Sequence, residues 1–189
     1  AADKPFMGEK PGVYFSNVIT RCYPVACEHP VISLAFRDAK DAVLPLCGFT
    51  DFASEQGLIP EEVNRRTKLE QTVSAEYGLA ALRILNDTEP SSEELNSIYN
   101  TLETVNEWWT ANRSYDGGVS FFYAYPFECG EWISRLSGLT MPCRTPDLAA
   151  KMVQTAQALA RCAAALGLDA AAEKWTACAA KRLEYLLNN

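Results

Sequence analysis

The segment from Thr145 to Asn189 constrains this chain more than any other, because only a pair of helices buries its apolar side chains. Leu148, Met152, Thr155, Leu159, Cys162 and Leu166 recur at alternating steps of four and three, one face of a helix. Thr145 stands where an N-cap is needed, and Pro146 suits the first helical position, whose N–H has no intrahelical partner. Gly167 marks the end, since glycine enters the left-handed C′ conformation without strain. Asp169 is placed to cap the next helix, where Leu168, Ala172, Trp175, Ala179, Leu183 and Leu186 continue the spacing. A connection of about two or three residues requires the two helices to run antiparallel.

Upstream, the same reading predicts two more long helices and a short one. A short helix starts at Pro30, with Ile32, Phe36, Ala39 and Val43 on one side, and stops near Leu44 because Pro45 disfavours helical geometry before it. A long helix is predicted from Pro60, with Glu61 and Glu62 in its first turn, through Val73, Tyr77, Ala80 and Ile84 to about Leu85. Ser91 and Glu94 have the spacing of a capping box. They open a helix whose stripe is Leu95, Ile98, Leu102, Val105 and Trp109, ending near Tyr115. The predicted long helices are thus 60–85, 91–115, 146–166 and 169–188. Asp116-Gly117-Gly118 is a turn, and an aromatic, irregular insert follows over about 117–144, with room for one short helix at 131–139. Residues 1–29 read as an extended arm and a cysteine-containing loop, and 30–189 as the helical domain. The fold class is therefore all-α: an antiparallel four-helix bundle with an extended N-terminal arm and an aromatic-rich insert.

Composition narrows the function. A formal charge of −7 leaves no basic patch to replace counterions on phosphate, which argues against nucleic acid. No apolar run approaches the roughly 20 residues that span a bilayer. Ala1 and Ala2 would suit a mature N-terminus left after cleavage at a small-residue site. The 7 cysteines are Cys22, Cys27, Cys47, Cys129, Cys143, Cys162 and Cys178. Cys162 and Cys178 fall on apolar helix faces as small hydrophobes. Cys22 with Cys27 or Cys47, and Cys129 with Cys143, are the disulfide pairs to test. His29 is the only imidazole and no C-x-x-C pattern repeats, so zinc and a histidine-based catalytic pair both lack support. No phosphate-cradling glycine loop is present. No catalytic, cofactor-binding or metal-binding residue is therefore assigned, and no cofactor is expected.

Two stretches are apolar without being needed by the bundle, Val13–Ile19 and Val119–Tyr125. Trp108 beside Trp109 adds to this, because adjacent helix positions are not expected to face one core. Val13, Tyr14, Phe15, Trp108, Phe121, Phe122, Tyr123 and Tyr125 are accordingly the candidate partner contacts, since contiguous exposed aromatics mark interfaces. The alternative reading is as a set of packing residues that cap the bundle.

Two families resemble parts of the chain. Residues 105–189 resemble the Q-type extrinsic proteins of photosystem II, four-helix bundles of the thylakoid lumen. The likeness lies in Val105-Asn106-Glu107, the Leu139–Pro142 break, Leu148-Ala149-Ala150-Lys151, Ala163-Ala164-Ala165, Ala172-Glu173-Lys174-Trp175 and Leu183-Glu184-Tyr185-Leu186. It implies a non-catalytic accessory subunit docked on a larger membrane-protein assembly, peripheral to the membrane, on the lumenal side of a photosynthetic complex. Residues 1–58 and the cysteines have no counterpart in it. The run Trp108–Gly117 followed by Glu128-Cys129-Gly130-Glu131-Trp132, with Gly57–Glu62, resembles the (α/α)-toroid six-hairpin glycosidases. That likeness implies a fragment of a carbohydrate-active enzyme, with Asp116, Glu128 and Glu131 supplying the carboxylates of an acid–base pair. A whole toroid needs more helices than 189 residues supply, so this is the second reading.

Overall fold

The computed structural model describes residues 35–48, 54–55, 58, 62–63, 68–69, 76–125, 128, 138 and 140–189. Among the described residues the main helices are α1 (Val43–Gly48), α2 (Tyr77–Asp87), α3 (Ser92–Asn112), α4 (Pro146–Ala165) and α5 (Asp169–Asn188). Residues 35–37 are also helical. β1 (Glu62–Val63) and β2 (Lys68–Leu69) form a minimal antiparallel ladder with Glu62 opposite Leu69. The all-α class stands.

α4 is the hub: α2, α3 and α5 all pack on it, whereas α2 and α3, though consecutive, barely touch each other. Its predicted stripe is buried from Leu148 through Cys162, and Val153, Ala156, Ala158 and Ala163 are buried beside it, so α4 is covered on more than one side. The α4–α5 hairpin closes as expected at Gly167, whose φ is +71°. The N–H of Leu168 donates to Ala163 O at 2.9 Å and that of Gly167 to Ala164 O at 3.1 Å, the paired bonds of a Schellman motif. Ser91 and Glu94 likewise form the capping box at the start of α3.

Several boundaries differ from expectation. α2 begins at Tyr77, not Pro60, and within the stretch expected to be helical β1 and β2 pair as strands. Of the short helix expected from Pro30 to about Leu44, residues 35–37 are helical, 38–42 are not, 30–34 lie outside the described residues, and α1 then runs from Val43 through Pro45. Proline is tolerated there because it is the third residue of the helix, where no intrahelical acceptor awaits its missing N–H. α3 ends at Asn112 because Arg113 leaves helical geometry and its carbonyl accepts from Phe122 instead. Thr145 occupies the N-cap of α4 without a side-chain cap, and Leu168, not Asp169, is the N-cap of α5. In α5 the buried positions are Trp175, Ala179 and Arg182, while Leu183 is exposed. The adjacent tryptophans are both buried, in an edge-to-face pair, because Arg113 covers Trp108 and Tyr123 covers Trp109. The arm, its loop with His29, Cys22 and Cys27, and 131–137 and 139 of the predicted short helix lie outside the described residues.

α2 approaches α4 closely at Gly78. A Cβ built there would overlap the backbone nitrogen of Thr155 and stand 2.6 Å from its Cα. Gly78→Ala should therefore destabilise by about 1–3 kcal/mol, as overpacked sites do. This is despite the roughly 1 kcal/mol that alanine gains over glycine in a helix interior. Urea unfolding measures it, and a net gain in stability would show that α2 does not pack so closely on α4.

Candidate functional site

The chain between α3 and α4 folds back along the end of α3 to make an aromatic rim. Ser114 and Phe121 form an antiparallel bridge, and Tyr123 bridges Cys143 through two backbone hydrogen bonds of 2.8 and 3.0 Å. Between them Gly117 and Gly118 take φ of +71° and +96°, which a β-carbon would oppose. Asp116 organises this turn. Its Oδ1 accepts from the Ser114 hydroxyl and the N–H groups of Val119 and Ser120, and its Oδ2 from the Ser120 hydroxyl at 2.6 Å. Burial works against the charge, but these donors outweigh it and lower the pKa to about 2.

Glu128 anchors the other end of the rim and is fully buried. Its Oε1 accepts from Nε and Nη2 of Arg113 at 2.9 and 2.7 Å, and its Oε2 from the N–H groups of Ala124 and Tyr125. Four donors on two oxygens satisfy the hydrogen bonding of this buried side chain. A third tie runs from the Tyr123 hydroxyl to Asp147 at the start of α4, 2.9 Å away. Burial would raise the Asp147 pKa, but this bond and the charge of Lys151 hold it below the ordinary range. Lys151 in turn reaches Glu76 at 2.8 Å, beside the start of α2.

On the outside of the rim stands a strip of stacked groups. Tyr115, 66% exposed, lies against Phe122 with ring centroids 4.4 Å apart, and the Arg144 guanidinium covers Tyr115 at 5.5 Å. Arg144 also donates to the Tyr185 hydroxyl of α5 at 3.5 Å, and it is exposed. Tyr125, 52% exposed, has Arg113 at 5.8 Å from its ring. The candidate contacts divide accordingly. Trp108, Phe121 and Tyr123 face inward and serve the core, which corrects their reading as surface residues. Phe122 is half-buried and Tyr125 exposed. Val13, Tyr14 and Phe15 lie outside the described residues. Tyr115, Arg144 and Tyr185 were not singled out from sequence. They come from three separate segments, and only the fold brings them together.

The described carboxylates of the rim are engaged in holding it together. Both oxygens of Glu128 are occupied by donors within the rim. Asp116, with its pKa lowered to about 2, offers no protonated carboxyl for a general acid. Glu131 lies outside the described residues. The thiols are no better as nucleophiles. Burial pushes Cys162 up to about 12 and raises Cys47 and Cys143. Cys143, Cys162 and Cys178 are free, and Cys47 is also a thiol, so the Cys22–Cys47 and Cys129–Cys143 pairings are corrected.

Two variants test the rim's electrostatics. Arg113→Ala leaves Glu128 buried with its guanidinium gone and should cost about 3–5 kcal/mol in urea unfolding. A loss under about 1 kcal/mol would mean that water reaches the carboxylate. Asp116, with its folded pKa below its unfolded one, contributes stability that is present above pH 3.8 and lost as pH falls towards about 2. Asp116→Asn should therefore flatten the fall in urea midpoint across that window, and an unchanged slope would dissociate the turn from acid unfolding. Among known proteins, the chain matches no family model and no curated protein.

Proposed function

We propose that this chain is a non-catalytic accessory subunit that docks on a larger assembly through the strip Phe122–Tyr115–Arg144–Tyr185. The observation that carries this is the guanidinium of Arg144, exposed and held between a tyrosine ring and a tyrosine hydroxyl. No carboxylate bonds to it among the described residues. An arginine so held loses little side-chain freedom on binding and fits a carboxylate in a fork geometry. The partner it fits is a protein surface carrying Asp or Glu beside apolar side chains, in a chain otherwise charged −7. Tyrosine and arginine together are the residue types that concentrate binding energy at interfaces.

In this reading the helices form an open bundle around α4, the arm adds a second contact, and the setting is peripheral to a membrane, as on the lumenal side of a photosynthetic complex. Among the described residues no helix is long and apolar enough to cross a membrane. The carboxylate-pair reading is less well supported, because Asp116 and Glu128 are both committed to holding the rim.

The test is native electrophoresis of the protein in a mildly solubilised extract of its source, with wild type beside a Tyr115→Ala/Arg144→Glu variant. Wild type should migrate with a far larger complex, and the variant should be released, its affinity lowered about tenfold or more by like charges at the contact. Wild type migrating at the mass of one chain would overturn the accessory role. A variant that stays bound would overturn the strip as its docking surface.

A further inference from the structure

α3 carries a second, polar stripe beside its apolar one: Tyr99, Asn106 and Thr110, seven and four residues apart. Both ends of it meet α5. The indole N–H of Trp175 donates to the Tyr99 hydroxyl at 3.1 Å. At the other end, a Cβ built on Gly118 would stand 3.0 Å from Oγ1 of Thr110 and 3.5 Å from Nη2 of Arg182, so these two groups flank one point. Asn106 therefore lies between, on the side facing the α5 row of Trp175, Ala179 and Arg182. The residue of that row midway between the two contacts is Ala179, the smallest of the three. The backbones of α3 and α5 are not in close contact, so side chains alone bridge this seam.

Two atoms in the seam are buried without a hydrogen-bond partner, and a buried guanidinium lies beside them. Asn106 is only 4% exposed, and its Oδ1 has no hydrogen-bond partner. The buried Oγ1 of Thr110 has none either. Arg182 is 2% exposed, its Nε and Nη1 donate to the carbonyls of Gly118 and Met152, and no anion among the described residues faces it. Buried polar atoms are nearly always paired, and a polar cluster beside a small side chain is where buried water is found. We infer that the α3–α5 seam binds one or two internal water molecules, held between Asn106 and Thr110 and reaching Arg182. The guest is neutral, because the oxygens of Gly118, Met152 and Asn106 would repel an anion, and it must both donate and accept. Water does both. Its role is to complete the hydrogen bonding of Arg182 and so keep the Gly118 turn, and with it the rim, in place.

The experiment is water-to-methyl cross-relaxation in the folded, ¹³C-labelled full chain, read at the Ala179 methyl group. A water cross-peak is expected there in wild type and in Thr110→Val, where the Thr110 hydroxyl is gone and cannot relay magnetisation. Asn106→Leu should abolish it. It should also lower the urea midpoint, because Arg182 loses its bridging partner. Absence of the cross-peak in wild type would overturn the inference, as would an Asn106→Leu variant that keeps the cross-peak. A dry seam would further show itself by an Asn106→Leu midpoint above that of wild type, since an orphaned polar atom would have been removed.

Discussion

A carboxylate that is wholly removed from water must be surrounded by donors, and meeting that demand at Glu128 shapes much of this molecule. Arg113 supplies two of its four hydrogen bonds from just beyond α3, and the backbone of Ala124 and Tyr125 supplies the rest. For these to converge, the chain must reverse between Arg113 and Tyr125. Asp116 and the two glycines make that reversal, and the Ser114–Phe121 bridge fixes its register. Arg113 then covers Trp108, which is how two adjacent tryptophans come to be buried at once. The rim is thus an electrostatic solution to one buried charge, with the aromatic side chains packed around it.

The second constraint is the close approach of helices to α4. Gly78 lies directly on Thr155, and small residues such as Ala156, Ala158 and Ala163 leave room on the other sides of α4. With α4 so enclosed, α2 and α3 need not pack on each other, and they hardly do. α5 is tied in differently, through its hairpin with α4 and through the polar side chains Trp175 and Arg182, which reach Tyr99 and the Gly118 carbonyl. A buried guanidinium is a costly way to join two elements. Its position explains why it persists: it links α4, α5 and the turn of the rim at one point. The interior therefore holds still the surface on which Tyr115 and Arg144 are displayed.

Local order was legible in the sequence wherever a signal acts within a few residues. The α4 stripe, the glycine stop at Gly167, the capping box of Ser91 and Glu94 and the turn at Asp116 could all be read there, because each depends on spacing and backbone geometry alone. Helix periodicity misled where strand pairing took its place, as at β1 and β2, and where tertiary pairing took over a helix end, as at Arg113. Leu183 and Arg182 show the same limit. They are neighbours, and only contact with Phe121 and the Gly118 carbonyl puts the arginine inside and the leucine outside.

What the amino-acid sequence determined by itself is that this is a helical protein ending in an antiparallel hairpin, with an aromatic insert after the third predicted helix. Apolar periodicity, proline and glycine suffice for that, since they act through the local backbone. Which aromatics are buried, which carboxylates are structural, and which arginine faces solvent was decided by the tertiary structure alone. Those outcomes depend on groups many residues apart meeting at hydrogen-bond distance: Glu128 with Arg113, Tyr123 with Asp147, Arg144 with Tyr185. Burial and electrostatics are set by such meetings, and no local spacing encodes them.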